Sequence, residues 1–112
     1  MTRKKLSEIA KELAKVILRK RNASPEAVGL ALKLVQLAWN LAHDDYKEEP
    51  AYTYGIEEIQ RLLSPVAKEL MSENAEYLTE VLMKYKLKHY ASDRRLIFSC
   101  KLDNGSVKVI WR

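Results

Sequence analysis

The sequence predicts an α+β fold, mainly helical, in which a helical bundle is followed by a C-terminal β-hairpin. Three observations indicate this class. Apolar residues recur at spacings of three and four through most of the chain, the pattern of helices with one buried face. Residues 28–42 are apolar almost throughout, which is typical of a central helix. After residue 94 the period changes to two around an Asn-Gly pair, which predicts a hairpin.

The length of 112 residues fits one domain with a modest core. We expect a single domain over residues 1–112, with four or five helices in residues 1–91 and the hairpin in residues 94–112. A composition of 47% apolar and 31% charged residues is typical of a folded globular protein. The single cysteine, Cys100, cannot form an internal disulfide, and no signal peptide or membrane-spanning run is recognisable. A cytoplasmic location is therefore the expectation.

The first helix is predicted from the apolar residues of its buried face: Leu6, Ile9, Leu13, Val16 and Ile17. Its last turn is expected at residues 19–21, where three cations suit the helix dipole. Asn22 would then take the left-handed conformation that ends many helices.

The second helix is predicted to begin at Ser24-Pro25-Glu26, because a hydroxyl cap and a first-turn proline are strong start signals. Its polar residues fall at spacings of three, four and three and form one narrow stripe: Lys33, Gln36, Asn40 and His43. A helix that is apolar around the rest of its circumference needs neighbours on several sides. We therefore interpret it as the helix around which the others pack.

Residues 44–55 are predicted to form an acidic loop that is closed by Pro50 and Gly55. Helical spacing resumes at Ile56 and is interrupted by Ser64-Pro65. Either the helix kinks there, or it ends and Ser64 caps a new one. A break is favoured because proline removes a backbone donor and clashes with the preceding turn. A last helix, capped by Ser72 or Asn74, is expected to run to about His89.

The hairpin turn is predicted at Asn104-Gly105, and this turn sets the register of the two strands. One face pairs apolar residues: Leu102 with Val107, Cys100 with Val109, and Phe98 with Trp111. The other face is more polar and pairs Lys101 with Lys108, Ser99 with Ile110, and Ile97 with Arg112. Two strands alone are marginally stable in water, so the hairpin must pack on the helices or join the strands of another chain.

His43-Asp44-Asp45 is the only stretch that suggests metal chemistry, and a metal-dependent hydrolase is the corresponding hypothesis. A metal site needs several converging ligands, and the only other histidine, His89, lies far downstream. We interpret the cluster as the end of the second helix, where a partly positive imidazole is favoured, followed by the acidic loop. No catalytic residue, metal or cofactor is predicted. Cys100 is expected on the apolar face of the hairpin, where a thiol is not a nucleophile. The three glycines are isolated, so no phosphate-binding loop is predicted.

Charge is distributed unevenly along the chain, with basic ends and an acidic middle that sum to a net +5. The basic ends support one alternative function, a regulator that binds nucleic acid through the first helix and the exposed face of the hairpin. The residues expected to contact phosphates are Lys4, Lys11, Lys15, Arg19, Arg21, Arg95, Lys101, Lys108 and Arg112. The basic surface lacks the interleaved aromatic residues of single-strand binders.

The favoured function is a small non-enzymatic accessory or regulatory protein that binds another macromolecule and forms a homodimer. Its support is a surplus of large apolar and tyrosine residues for so short a chain. The expected partner-binding residues are the three loop tyrosines and the polar stripe: Tyr46, Tyr52, Tyr54, Lys33, Gln36, Asn40 and His43. Neither a membrane nor a small-molecule substrate is expected.

Overall fold

The computed structural model describes residues 4–43 and 50–112, without the side chains of residues 50–54. The α-helices are α1 (Leu6–Ile17), α2 (Pro25–Leu41), α3 (Pro50–Leu63) and α4 (Ala75–His89). A 3-10 helix (Ser64–Glu69) follows α3, and the strands β1 (Ile97–Asp103) and β2 (Ser106–Trp111) close the chain. The predicted α+β class is confirmed. No helix of the described ranges is long and apolar enough to cross a membrane.

Helix α2 is the central helix, as predicted. It contacts α1, α3, α4, the 3-10 helix and β1, and Leu32 and Leu34 on it are fully buried. The hairpin packs on the helices, with β1 on α2 and β2 on α1. The start of α2 is also as predicted, because the Ser24 hydroxyl accepts a hydrogen bond from the Ala27 amide at 3.2 Å.

The end of α1 differs from the prediction. The helix stops at Ile17, and Leu18 is extended and forms an isolated β-bridge with Leu70. The Arg19 amide donates to the Glu69 carbonyl at 2.8 Å, so residues 19–21 leave the helix. The predicted left-handed cap at Asn22 is wrong, since Asn104 is the one non-glycine with positive φ in the described ranges. The backbone pairing of Leu18 with Leu70 therefore ends the helix before the basic residues and Asn22 that predicted its end.

Helix α3 begins earlier than predicted. Residues 50–55 are helical rather than part of a loop, because Pro50 occupies the first position of α3, where its missing N–H is harmless. Residues 44–49 lie outside the described residues. The predicted break at Ser64-Pro65 is confirmed, since the α-helix gives way to the 3-10 helix there. The predicted Ser64 cap is wrong, because Leu63 occupies the cap position without a side-chain bond.

Helix α4 begins and ends as predicted, with Asn74 as its cap. The Asn74 side chain accepts a hydrogen bond from the Tyr77 amide at 3.0 Å. Ser72 is not the cap but supports it, since the Ser72 hydroxyl accepts a hydrogen bond from the Asn74 amide at 3.2 Å.

The hairpin register is confirmed from Ser99 to Asp103, around a turn in which Asn104 and Gly105 both have positive φ. Toward the base of the hairpin the pairing shifts, because Ile97 faces Trp111 and Phe98 is left as the extra residue of a β-bulge. Ile97 is therefore buried and Phe98 is 55% exposed. The predicted pairs of Phe98 with Trp111 and of Ile97 with Arg112 are wrong.

Candidate functional site: a basic groove beside the hairpin

An open groove of about 990 Å³ lies between α1, the α1–α2 connection, the start of α2 and the tip of the hairpin. Its rim carries five cations and one carboxylate: Lys11, Lys15, Arg19, Lys20, Arg21 and Glu8. Its floor includes four half-buried aliphatic side chains: Leu18, Val28, Leu102 and Val107. We call this feature the basic groove. It presents positive charge around an apolar surface that solvent still reaches.

The rim is built from two local structures. Lys11 and Lys15 are one helical turn apart on the exposed face of α1. Arg19, Lys20 and Arg21 lie on the short connection that begins where the Leu18 bridge ends α1. Because this bridge ends the helix, Arg19, Lys20 and Arg21 leave α1 and line the same groove as Lys11 and Lys15.

Glu69 holds both ends of this connection. Its carbonyl accepts from the Arg19 amide at 2.8 Å, and its carboxylate accepts from the Ser24 amide and hydroxyl, each at 2.7 Å. These bonds, first from the Ser24 backbone and then from its hydroxyl, lower the pKa of Glu69. A glutamate three residues after the cap makes the amide contact in a capping box, but that position is Ala27 here. Here the Ser24 amide is bonded instead by Glu69, which lies 45 residues further along the chain.

The basic residues predicted from the sequence separate into distinct locations. Lys11, Lys15, Arg19 and Arg21 line the basic groove. Lys101 and Lys108 are exposed cross-strand partners on the outer face of the hairpin. Lys4 is exposed and pairs with Glu12 at 2.8 Å, and the Arg112 guanidinium lies 5.7 Å from the Phe98 ring centroid.

Arg95 does not lie on the exposed hairpin face, and that prediction is wrong. It is 7% exposed, and its guanidinium donates to both carboxylate oxygens of Asp93. It also donates to the Lys4 carbonyl at 2.9 Å, which ties the start of α1 to the segment before β1. Because Asp93 lies two residues before Arg95, the pair is local and the charge is neutralised where it is buried.

Lys86 is a second buried cation with an internal role. Its ammonium donates to the carbonyls of Asp93 at 2.7 Å and Tyr90 at 3.0 Å, and it lies 4.6 Å from the Trp39 ring centroid. Burial lowers the pKa of Lys86, while the Asp93 carboxylate opposes that change. Lys86 thus fixes the turn that follows α4.

Two members of the polar stripe on α2 hold β1 in place. The Asn40 amide donates to the Ile97 carbonyl at 2.8 Å and accepts from the Ile97 N–H at 2.9 Å. Gln36 donates to the Phe98 carbonyl at 3.0 Å. These bonds hold the backbone of Ile97 and of the bulged residue Phe98 against α2. Lys33 is exposed, and a partner contact by the stripe stays a prediction.

His43 is buried at 7% exposure, and its Nε2 atom has no hydrogen-bond partner. Burial lowers its pKa, and the neighbouring cation of Lys86 lowers it further. Both effects oppose the partly positive imidazole that was predicted at the end of the second helix. Asp44, Asp45 and Tyr46 lie outside the described residues, as do the side chains of the other two predicted tyrosines, Tyr52 and Tyr54. No group of three metal-ligating side chains occurs in the part of the chain that the structure describes.

Sequence reasoning missed the role of Glu12, which looked like one more charge on the polar face of α1. Its carboxylate accepts hydrogen bonds from the hydroxyls of Tyr85 at 2.7 Å and Tyr90 at 2.8 Å, and from Lys4 at 2.8 Å. Burial alone would raise the pKa of Glu12, but these three donors lower it to about 2. No local pattern indicates this cluster, because the tyrosines are more than 70 residues away.

Comparison with known proteins gives no relative. No family model, no curated protein and no solved structure matches this chain.

Proposed function

We propose that the protein is a small non-enzymatic accessory or regulatory protein whose basic groove receives an acidic, amphipathic segment of a partner protein. One observation carries the proposal: the groove combines five rim cations with an aliphatic floor. A partner that matches both features needs carboxylates beside apolar side chains.

An amphipathic helix meets this requirement in a compact way. Its apolar residues at positions i, i+3, i+4 and i+7 can contact the aliphatic floor, while flanking glutamates face the cationic rim. The volume of about 990 Å³ is at the upper end of the range for small-ligand pockets and suits several side chains at once. The open shape beside α1, a 12-residue helix about 18 Å long, gives room for two or three turns of a second helix.

Nucleic acid remains the second candidate because the same five cations favour phosphates. Proteins that bind single strands stack bases on aromatic side chains. The described residues that line the groove include no aromatic side chain, whereas they include several aliphatic ones. The floor therefore favours a peptide over a nucleic acid.

The test is a titration of the full chain against a fluorescein-labelled peptide of about 18 residues, or five helical turns, with a leucine stripe flanked by glutamates. Fluorescence anisotropy measures Kd at low salt and at physiological salt. Reversing two rim charges, Lys11→Glu with Lys15→Glu, should raise Kd about tenfold, which is about 1.4 kcal/mol. The matched control is Lys84→Glu with Lys88→Glu, which changes the same charge at the same spacing on exposed positions of α4.

Three outcomes contradict the proposal. The peptide fails to bind, or both double variants weaken binding equally, or a labelled single-stranded oligonucleotide binds more tightly than the peptide. In the last case, loss of oligonucleotide binding on Lys101→Glu with Lys108→Glu would favour the nucleic-acid function that uses the hairpin face.

A further inference from the structure

The backbone of β2 has one bonded edge and one outward edge. The two-residue turn makes Asp103 and Ser106 a hydrogen-bonded pair, and bonded pairs alternate from there along an antiparallel ladder. At the other end, Leu96 and Arg112 exchange hydrogen bonds at 3.1 and 2.9 Å, which confirms the alternation along β2. Val107, Val109 and Trp111 therefore direct their amide and carbonyl groups away from β1.

This outward edge is open. Within residues 4–43 and 50–112, no backbone or side-chain group forms a hydrogen bond with the outward groups of Val107, Val109 or Trp111. The outer edge of β1 differs, because Asn40 and Gln36 bond to it near the bulge. An unprotected edge is a template for another strand.

Exposed apolar side chains lie along the same edge. Ile110 is 61% exposed and Trp111 is 48% exposed, although both belong to an ordered strand. Large side chains in such positions are typical of a surface that another chain covers.

We propose that β2 pairs antiparallel with β2 of a second copy of this chain, so that two hairpins form one four-stranded sheet. The two-fold axis passes beside Val109, which faces Val109 of the second copy. Val107 then faces Trp111 of the second copy, and the reciprocal pair is identical by symmetry. Each of these three facing pairs exchanges two hydrogen bonds. Together they satisfy the outward amide and carbonyl groups of Val107, Val109 and Trp111.

Charge selects this register among its neighbours. A two-fold axis beside position 108 places Lys108 directly against its own copy, and an axis beside position 110 places Lys108 against Arg112. Lys108 already faces Lys101 within its own hairpin, and a second facing cation from the other copy would add to this unfavourable repulsion. With the axis beside Val109, Lys108 faces Ile110 instead, and the aliphatic part of the lysine covers the exposed isoleucine. The sequence of β2 is thus complementary to itself in one register.

The inference does not rest on the function proposed for the basic groove, and its test uses no peptide. Sedimentation velocity over a range of concentrations measures the dimer dissociation constant of the full chain. The measurement is made at about 150 mM salt, because each copy carries a net charge of +5 that opposes association. A wild-type chain that stays monomeric up to millimolar concentration overturns the proposal.

A charge exchange tests the register. Ile110→Lys places two lysines in each facing position and should raise the dissociation constant at least tenfold. Adding Lys108→Glu to this variant places opposite charges there and should restore association to within about threefold of the wild type. Phe98→Lys is the matched control, because Phe98 is similarly exposed but lies on β1, and it should leave association unchanged. Failure of the double variant to recover overturns the proposed register.

Amide hydrogen exchange gives a second readout that needs no substitution. The Val107, Val109 and Trp111 amides should exchange at least tenfold more slowly in a sample that is mostly dimer than in a dilute one. Rates at these three amides that do not change with concentration would overturn the pairing, even if the chain dimerises.

Discussion

The Glu12 carboxylate offers the sharpest test of how this fold is stabilised, through the substitution Glu12→Gln. The carboxylate joins α1 to α4 and to the residue after it, because it accepts from Tyr85, Tyr90 and Lys4. Glutamine keeps the size and one acceptor oxygen of the side chain but removes its charge. The charged hydrogen bonds are therefore the main quantity that changes.

The magnitude follows from the pKa. A fall from 4.5 to about 2 corresponds to roughly 3 kcal/mol, at about 1.36 kcal/mol for each pKa unit. The side chains of Lys4 and Glu12 are 49% and 30% exposed, so solvent screens part of their attraction. We expect Glu12→Gln to lower the free energy of unfolding by about 2 kcal/mol at pH 7.

The pH dependence has a definite sign. The pKa of Glu12 is lower in the folded protein than in the unfolded chain, so its contribution is complete above about pH 4.5 and is lost as the pH falls toward 2. Urea unfolding of the wild type and of Glu12→Gln between pH 2.5 and 7 measures the difference. That difference should fall to less than about a third of its pH 7 value at pH 2.5.

Glu8→Gln is the control, because Glu8 lies one turn earlier on α1 and is exposed. It should change the free energy of unfolding by less than about 0.5 kcal/mol. A difference between wild type and Glu12→Gln that does not vary with pH would refute the reasoning, as would an equal loss in the Glu8 variant.

Three further predictions concern single positions. Asn40→Asp replaces the donor to the Ile97 carbonyl with an oxygen, and it should lower the free energy of unfolding by about 2–3 kcal/mol; an unchanged urea midpoint contradicts this. Burial raises the pKa of Cys100 to about 12, so at pH 8 a thiol reagent should modify it at least 100-fold more slowly in the folded protein than in urea, and equal rates would show that the thiol is accessible. Gly105→Ala should lower stability by about 1–2 kcal/mol because Gly105 has a φ of +79°, whereas Gly29→Ala, in α2 with open space around it, should raise stability by about 0.5–1 kcal/mol. If the thermal midpoints of Gly105→Ala and Gly29→Ala shift in the same direction from the wild type, this prediction is wrong.

Local patterns were sufficient wherever the decisive contact lies close in sequence. The cap at Ser24 and the turn at Asn104-Gly105 depend on groups within a few residues, and both are as predicted. The loop predicted over residues 50–55 failed because proline is compatible with both a loop and the first turn of a helix. Sequence alone gives no means to choose between them at Pro50.

Of the candidate site, the sequence predicted the cations but not the groove. Lys11 and Lys15 were recognisable as an exposed pair, and residues 19–21 as a basic run. The groove exists because Leu18 pairs with Leu70 and Glu69 anchors the connection. Each of these partners is more than 40 residues away from the residue it contacts, and no pattern in either segment indicates the other.

The sequence by itself determined the α+β class, the central position of α2 and the register of the hairpin near its turn, because periodicity and turn chemistry are local properties of the chain. Only the tertiary structure decided that α1 ends at Ile17, that Phe98 is bulged outward, and that Arg95 is buried beside Asp93. In each case a hydrogen bond or ion pair formed in the packed molecule outweighs a local preference, since buried polar groups must find partners wherever packing places them.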